Sequence, residues 1–216
     1  MNSVIYIDEK PLDELLQLFN CDISDDIDFY TVIAYSIGIS DINYLIKNIT
    51  QFNRNQLIGI IFAFSHISEP AKKIESILDS LVATDNPTIL DDSMILSAVI
   101  RVLRLRGKQG RWDNIQKYLY HNSIYIRGAC LEYAAFSLPV DISMELLIFG
   151  LDDKDAIVRE VAMDEILDLT IEENFPEKWL SKIINKFRDL LTDNDEYIRG
   201  YAQSSLESLT KENLAR

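Results

Sequence analysis

Three segments of the chain repeat one eight-residue pattern, and this repetition limits the fold more than any other feature of the sequence. The segments are 123–130, 155–162 and 195–202. In each, a residue able to cap a helix stands three positions before an apolar residue, and an arginine follows that apolar residue directly. The pattern recurs at intervals of a few tens of residues. Repeats of that length are typical of arrays of helical pairs, which bury their apolar faces by stacking on one another.

We call the apolar residue before each arginine the anchor of its repeat: Ile126, Val158 and Ile198. In the last two copies, positions 3, 4, 8 and 11 after the anchor are also apolar, which places them on one face of a helix. Upstream the pattern weakens, with candidate helix caps at Asp26, Asn55 and Asp92 and with a leucine, Leu96, where the arginine would stand. The sequence therefore predicts about six helical hairpins.

Helical spacing of apolar residues extends along nearly the whole chain, and no long alternating strand pattern competes with it. It predicts helices over 10–20, 26–38, 41–50, 55–67, 69–83, 92–106, 109–120, 123–137, 141–150, 155–169, 176–191 and 195–211. We expect one all-α domain over residues 1–216, with clear repeats in 109–216 and degenerate ones in 10–108. Polar residues on the last helix are expected to cap the end of the array: Gln203, Ser204, Glu207, Lys211 and Glu212.

The last three copies resemble HEAT repeats, in particular the short bacterial kind of the phycobilisome lyases, with the consensus Asp-x-x-x-Val-Arg-x-x-Ala. The match is good over 123–211 and poor before residue 68. The resemblance implies a right-handed α-α superhelix whose second helices line a concave face. It implies no reaction, because most such arrays bind proteins.

The repeated arginines Arg127, Arg159 and Arg199 have two interpretations. They form either an anion-binding row or structural contacts in which Asp155 and Asp195 cap their helices and accept the arginine four residues later. We favour structural contacts, because the arginine recurs together with its carboxylate. Ser123 has no carboxylate, so Arg127 is the one expected to be available to a partner.

The acidic charge of the chain argues against nucleic-acid and anionic-membrane partners. The formal charge is −14, from 35 acidic and 21 basic residues, and like charge repels a phosphate backbone. The longest apolar run, 57–64, is far too short to span a bilayer. Cys21 and Cys130 are too few for a disulfide framework. With no signal-peptide pattern at the start, we expect a cytoplasmic location.

Catalytic, cofactor and metal motifs are not found in the sequence. Of the two histidines, His66 falls at a core position, and His121 lies at a helix end that favours a positive charge. Deoxyhypusine hydroxylases, which resemble this chain in being HEAT-like, hold iron through His-Glu pairs. Here His66 and His121 are followed by Ile67 and Asn122, so we expect neither metal nor cofactor, and no enzyme.

A basic and aromatic island in the middle of the chain leaves an alternative open. Residues 101–150 carry seven basic and four acidic side chains, and the island runs from Arg104 to Trp112 with Arg106, Lys108 and Arg111. A HEAT-like DNA glycosylase needs cations and aromatic rings for an extruded base. No motif of that family transfers residue by residue. A bilin lyase subunit is similar through the repeat alone, and a structural adaptor is a further possibility.

In the three upstream copies the residues that correspond to the anchor are Phe29, Ile58 and Ile95. Positions 6 and 9 after the anchor or its counterpart turn away from the predicted core and form a candidate binding strip. Aromatic residues also cluster around the island, at Trp112, Tyr118, Tyr120, Tyr125 and Tyr133. With Tyr133 from this cluster, the candidate partner-binding residues are Tyr35, Phe64, Arg101, Arg104, Glu132, Tyr133 and Asp164. The alternative is that Tyr35 and Phe64 are core residues and that the tyrosines pack between hairpins. We expect a protein partner with a basic surface, bound by a monomer, and an immunity or antitoxin-like role is one concrete version.

Overall fold

The computed structural model describes residues 11–19, 37, 39–68, 71–83, 89, 91–106, 111–172 and 175–215. Every regular element in these ranges is a helix. The chain divides into two compact units, Met1–Asn114 and Ile115–Arg216, which we call the N-terminal unit and the C-terminal unit.

The helices of the N-terminal unit are short to medium in length and alternate with brief connections. They are α1 Leu12–Leu18, α2 Ile39–Lys47, α3 Arg54–His66, α4 Ala71–Ala83 and α5 Ser93–Leu105. Helix α6, Trp112–Ile115, crosses the division between the units. The C-terminal unit continues with a 3-10 segment, Gln116–Tyr120, and then α7 Ile124–Ser137, α8 Val140–Gly150, α9 Ala156–Thr170, α10 Leu180–Leu190 and α11 Glu196–Ala215.

Most predicted helices agree with the observed bounds to within about three residues, as expected for strongly periodic segments. The larger differences lie where a helix starts as a tighter 3-10 turn and at the end of the last helix, which runs to Ala215, four residues beyond the predicted 211. The predicted helix 109–120 is the short α6 followed by a 3-10 segment, and the predicted helix 176–191 opens with the 3-10 turn Glu177–Trp179. The predicted helix 26–38, its cap Asp26 and Tyr35 lie outside the described residues, apart from Ile37.

The N-terminal unit has a core of aliphatic side chains where α3 and α4 pack on α5. Ile60, Ile61, Leu78 and Leu96 are fully buried there. Leu96 occupies the register that holds arginine in the later repeats, so apolar packing replaces a polar contact at this place.

The cap of helix α3 lies two residues earlier than the sequence predicted, and the helix begins one residue earlier. Its cap is Asn53, whose side chain accepts the Gln56 amide while the Gln56 side chain accepts the Asn53 amide. The prediction of Asn55 as the cap was therefore wrong. His66, predicted to be an interior residue, is exposed at the last turn of this helix. At the cap of α5, the Asp92 carboxylate accepts the amides of Met94 and Ile95, as predicted.

In the C-terminal unit, α7, α8 and α9 pack on one another, and α11 packs against α10 and α9. The anchors Ile126, Val158 and Ile198 are at most 1% exposed. Gly150 allows α8 to pack closely against α7, because a Cβ atom at position 150 would lie 2.6 Å from a methyl group of Leu131.

Helix α11 differs at one position from α7 and α9, the helices that hold the same place in the two preceding repeats. Five positions after the anchor, Leu131 in α7 and Met163 in α9 are buried, whereas Gln203 in α11 is exposed. Gln203 donates a hydrogen bond to Glu207 at 2.8 Å, and Ser204 is exposed beside them. The described part of α11 therefore presents the polar outer surface that the sequence predicted for a capping helix.

Two further sequence features are placed by the structure. Cys130 is buried, and that burial raises the pKa of its thiol, whereas Cys21 lies outside the described residues. Among the described helices, none is both long and apolar enough to cross a bilayer.

Candidate functional site

The three repeated arginines make one backbone contact in common. The Nη1 atoms of Arg127, Arg159 and Arg199 each donate, at 2.8 Å, to the carbonyl of the residue six positions earlier. Each arginine therefore holds the loop that leads into its own helix, which is a structural role.

Two of these arginines also bind the loop of the following repeat. The Nε and Nη2 atoms of Arg127 both donate to the Asp153 carboxylate at 2.8 Å, and Nη2 also donates to Asp155 at 2.5 Å. Arg159 reaches the next loop through Nη2 alone, which donates to Asp193 at 2.6 Å and to Asn194 at 3.3 Å. The hydrogen bonds of Arg199 go to the carbonyls of Asp193 and Asn194. We call this series of cross-repeat contacts the arginine ladder.

The ladder corrects two expectations about these arginines. We expected Arg159 and Arg199 to bind the cap four residues earlier, but the carboxylate that Arg159 binds belongs to the next repeat. Arg127, expected to be available to a partner, is 4% exposed and fully engaged. Of the two predicted caps, Asp195 accepts the amides of Tyr197 and Ile198. Asp155 makes no cap bond, and its carboxylate lies against Arg127 instead.

His121 occupies the loop position that Asp153 and Asp193 hold in the later repeats. Its Nδ1 accepts the Ser123 amide at 3.0 Å, just as the two aspartates accept the amide two residues onward. Burial lowers the pKa of His121, and the nearby Arg127 lowers it further. The helix end would favour a positive charge on His121, but its ring is held as an acceptor at Nδ1, which opposes that charge.

The predicted binding strip divides into core and surface residues. Phe64 and Tyr133 are fully buried, so the structure places both in the core instead of on a surface. The position of Phe64 in the repeat was counted from the predicted cap Asn55. Because the observed cap is Asn53, the count shifts by two residues and Phe64 falls at a core position. Arg101, Arg104 and Glu132 are half-buried, Asp164 is exposed, and Tyr35 lies outside the described residues.

An acidic face runs along α9. We define it as Glu160, Asp164 and Asp168, which are spaced four residues apart and so lie on one side of the helix. Two tyrosines of α11 lie beside it: the Tyr201 hydroxyl donates to Asp164, and the Tyr197 hydroxyl lies close enough to the Glu160 carboxylate for that group to raise its pKa. Among the ion pairs of the described residues, none joins this face to a cation.

The electrostatics of the acidic face reflect its crowded negative charge. Burial raises the pKa of Asp164; the Tyr201 hydrogen bond opposes that rise, and the charges of Glu160 and Asp168 add to it. The Glu160 carboxylate raises the pKa of Tyr197, and burial followed by Asp164 raises that of Tyr201. A cation bound at this face would offset repulsion that the protein itself leaves uncompensated.

A row of exposed apolar side chains lies on the same helices. Tyr125, Ile157 and Tyr197, the residues directly before the three anchors, are 48%, 52% and 60% exposed. We call them the apolar row. None of the three is among the predicted partner-binding residues, although this position holds a large apolar residue in all three copies of the repeat. Such residues at equivalent places on successive helices favour a binding surface.

The basic island is largely used within the N-terminal unit. Arg106 donates to the carbonyls of Phe64 and Ile67 at the end of α3. Arg111 pairs with Glu75 and Asp79 of α4, and Lys108 lies outside the described residues. Nothing in this arrangement supports the glycosylase alternative. In the described part of the chain, no group of three His, Cys, Asp or Glu residues is placed to hold a metal ion.

Neither a family model nor a curated protein matches the sequence. Among solved structures, a designed armadillo repeat protein in complex with the peptide (KR)4 is 16% identical, with a TM-score of 0.51 over 93% of this chain and 100% of its own length. Cex1p is 13% identical, with a TM-score of 0.55 over 94% of this chain, which spans 43% of the length of Cex1p. These likenesses confirm the predicted all-α repeat solenoid, without singling out the short bacterial HEAT type.

Proposed function

We propose that the chain is a non-enzymatic protein-interaction module that binds a basic partner through the exposed side of α7, α9 and α11. The observation that carries this proposal is the acidic face, three carboxylates on one helix without a cation among the described residues. The adjacent apolar row supplies surface that a partner can bury. Together they form an apolar strip bordered by uncompensated charge, which suits a basic, partly apolar segment.

Long-range charge supports the same kind of partner. With a net charge of −14, the chain attracts a cationic protein and accelerates its association. The designed armadillo repeat protein described above is in complex with the peptide (KR)4, and this likeness of fold supports a peptide-binding role. Arg101 and Arg104 of the N-terminal unit are proposed as secondary contacts for acidic side chains of the partner.

The more specific version of this function is an immunity or antitoxin-like protein of the HEAT-like bacterial kind, acting in the cytoplasm. A small, acidic, binding-only chain is suited to covering the cationic surface of a nuclease. A basic nuclease encoded beside this chain should form a stable complex with it and lose activity. A purified neighbouring nuclease that stays active in an excess of the chain would contradict this version.

The general proposal is tested with the peptide (KR)4 and fluorescence anisotropy at low salt. The variant Glu160→Gln, Asp164→Asn, Asp168→Asn should lose at least about tenfold in affinity, because three unscreened attractions disappear. A matched control removes three exposed acids elsewhere in the same unit, Glu145→Gln, Glu177→Gln and Asp189→Asn. Equal losses in both variants would show that net charge alone binds the peptide and would contradict a defined surface.

A further inference from the structure

The two tyrosines beside the acidic face are held in a fixed arrangement. Tyr197 and Tyr201 lie on α11 with ring centroids 6.1 Å apart and ring planes tilted by 41°. Their hydroxyl groups are engaged by Glu160 and Asp164 of α9. Tyr197 nevertheless remains 60% exposed. An aromatic surface is thus presented to solvent next to carboxylates that already orient it.

Resting on the proposed function, we infer that this tyrosine pair makes the surface selective for arginine over lysine in the partner. A guanidinium group is planar, so it can stack on the Tyr197 ring while its edge donates two hydrogen bonds to Glu160 or Asp164. An ammonium group is a compact and strongly hydrated charge that provides neither the stacking plane nor the paired donors. Both cations neutralise the acidic face, and the aromatic contact discriminates between them.

The apolar row indicates which kind of residue the partner segment carries near its arginine. Helices in contact lie about 8–10 Å apart, and three residues of a segment in the polyproline II conformation cover about 9 Å and return the side chain to the same face. A segment of that conformation that crosses from α11 to α9 with its arginine at Tyr197 therefore brings a side chain three residues away to Ile157. That side chain contacts an exposed aliphatic surface, so an apolar residue fits there. The expected ligand is a polyproline II segment with arginine and an apolar residue three positions apart.

A second copy of this chain is a less suitable occupant. The cations of α10 and the turn before it include Lys178 and Lys186, but these already pair with Asp141 and Asp152. Lys182 lies over the ring of Trp179, 4.4 Å from its centroid. If this side of α10 in one molecule docked on the acidic face of another, the three lysines would have to give up these contacts to form new ones. We therefore assign the surface to a separate arginine-bearing protein segment.

The test compares octa-arginine with octa-lysine, which carry equal charge, on the full chain by fluorescence anisotropy. We expect octa-arginine to bind about two- to fivefold more tightly, the ratio that one exposed cation–π contact supplies. Tyr197→Ala should bring the ratio close to one, whereas Tyr197→Phe should keep most of it because the ring remains. The control is Tyr120→Ala, which removes a tyrosine that is 76% exposed and pairs with Phe149 instead; here the ratio should not change.

The outcomes separate this inference from the proposed function. Measurable and equal affinity of the unmodified chain for both peptides overturns the arginine site and leaves the binding of a basic partner intact. An arginine preference that survives Tyr197→Ala also overturns it, because another feature then discriminates. Failure of both peptides to bind overturns the proposed function as well. Thermal unfolding of each variant, followed by circular dichroism, verifies that the exposed substitutions leave the fold unchanged.

Discussion

Each unit of the molecule uses an arginine to join one repeat to the loop of the next, but the two contacts differ in burial. In the C-terminal unit, the Arg127 side chain is 5% exposed and binds two carboxylates and two backbone carbonyls. In the N-terminal unit, the Arg54 side chain is 53% exposed and pairs with Asp92, the cap of α5. The same kind of contact is thus enclosed in one unit and hydrated in the other.

This difference explains why the repeat is easy to recognise in one half of the sequence and faint in the other. A buried guanidinium requires matched acceptors at fixed places, so both the arginine and the loop aspartate must be kept together. An exposed pair contributes little, and apolar residues such as Leu96 can take over the stacking instead. The degenerate repeats of the N-terminal unit therefore reflect a change in what holds neighbouring hairpins together.

The largest expected effect comes from removing the buried arginine. Arg127→Met should reduce the free energy of unfolding by about 3 kcal/mol, because Asp153 and two loop carbonyls lose their donor in a mostly buried place. Arg54→Met should cost less than about 1 kcal/mol, since its ion pair is exposed. Urea denaturation followed by circular dichroism measures both. Similar losses would show that burial does not distinguish the two contacts.

Close packing gives the next largest effect and contrasts the interior of the array with its end. Gly150→Ala should destabilise the protein by about 1–3 kcal/mol, because the new methyl group meets Leu131 and Ala162. Gly200→Ala, in the last helix, has nothing within 4 Å of the new methyl group. It should stabilise the protein by about 0.5–1 kcal/mol through helix propensity. Thermal unfolding should show shifts of opposite sign; a loss in both variants would contradict an open surface at Gly200.

The cap of α5 allows the helix cap and the ion pair of Asp92 to be separated. Asp92→Ala removes both and should cost about 1 kcal/mol. Asp92→Asn keeps a capping acceptor and loses the charge paired with Arg54, so it should cost a few tenths of a kcal/mol. Equilibrium denaturation measures the free energy of unfolding of both variants. An equal loss in Asp92→Asn and Asp92→Ala would contradict a capping role that is separate from the ion pair.

The smallest effect concerns the acidic face and depends on pH. Because the folded protein raises the pKa of Asp164, the ionised carboxylate destabilises the fold. That penalty is complete above the folded-state pKa and disappears as the pH falls below the ordinary aspartate value of about 3.9. Asp164→Asn should therefore be slightly more stable than the unmodified chain at neutral pH and no more stable in acid. Unfolding curves at several pH values check this; a stability gain that persists in acid would exclude ionisation as the cause.

Much of the architecture could be predicted from the sequence, because apolar periodicity is a local signal. The helix bounds, the buried anchors and the Asp92 cap follow from residues within a few positions of one another. The start of α3 also has a local signal, since Asn53 and Gln56 have the spacing of a capping box. The predicted cap Asn55 is wrong because two asparagines lie close together and only the first has this partner.

The arginine partners and the binding surface could not be predicted in the same way. Arg127 and Asp153 are 26 residues apart, and Arg159 and Asp193 are 34 apart, so their contact depends on how the hairpins stack. The apolar row was visible as a pattern, but periodicity does not tell an exposed face from a buried one when both are apolar. Phe64 shows the reverse error, since a shift of register turned a core residue into an expected surface residue.

The polar pair on the last helix also affects how molecules meet one another. At the register where Leu131 and Met163 are buried, Gln203 is exposed and donates a hydrogen bond to the exposed Glu207. A second molecule that docked on this face would have to desolvate both polar side chains without gaining an apolar contact. End-to-end growth into fibres, the hazard of any stacked array, is therefore opposed on this side by two side chains.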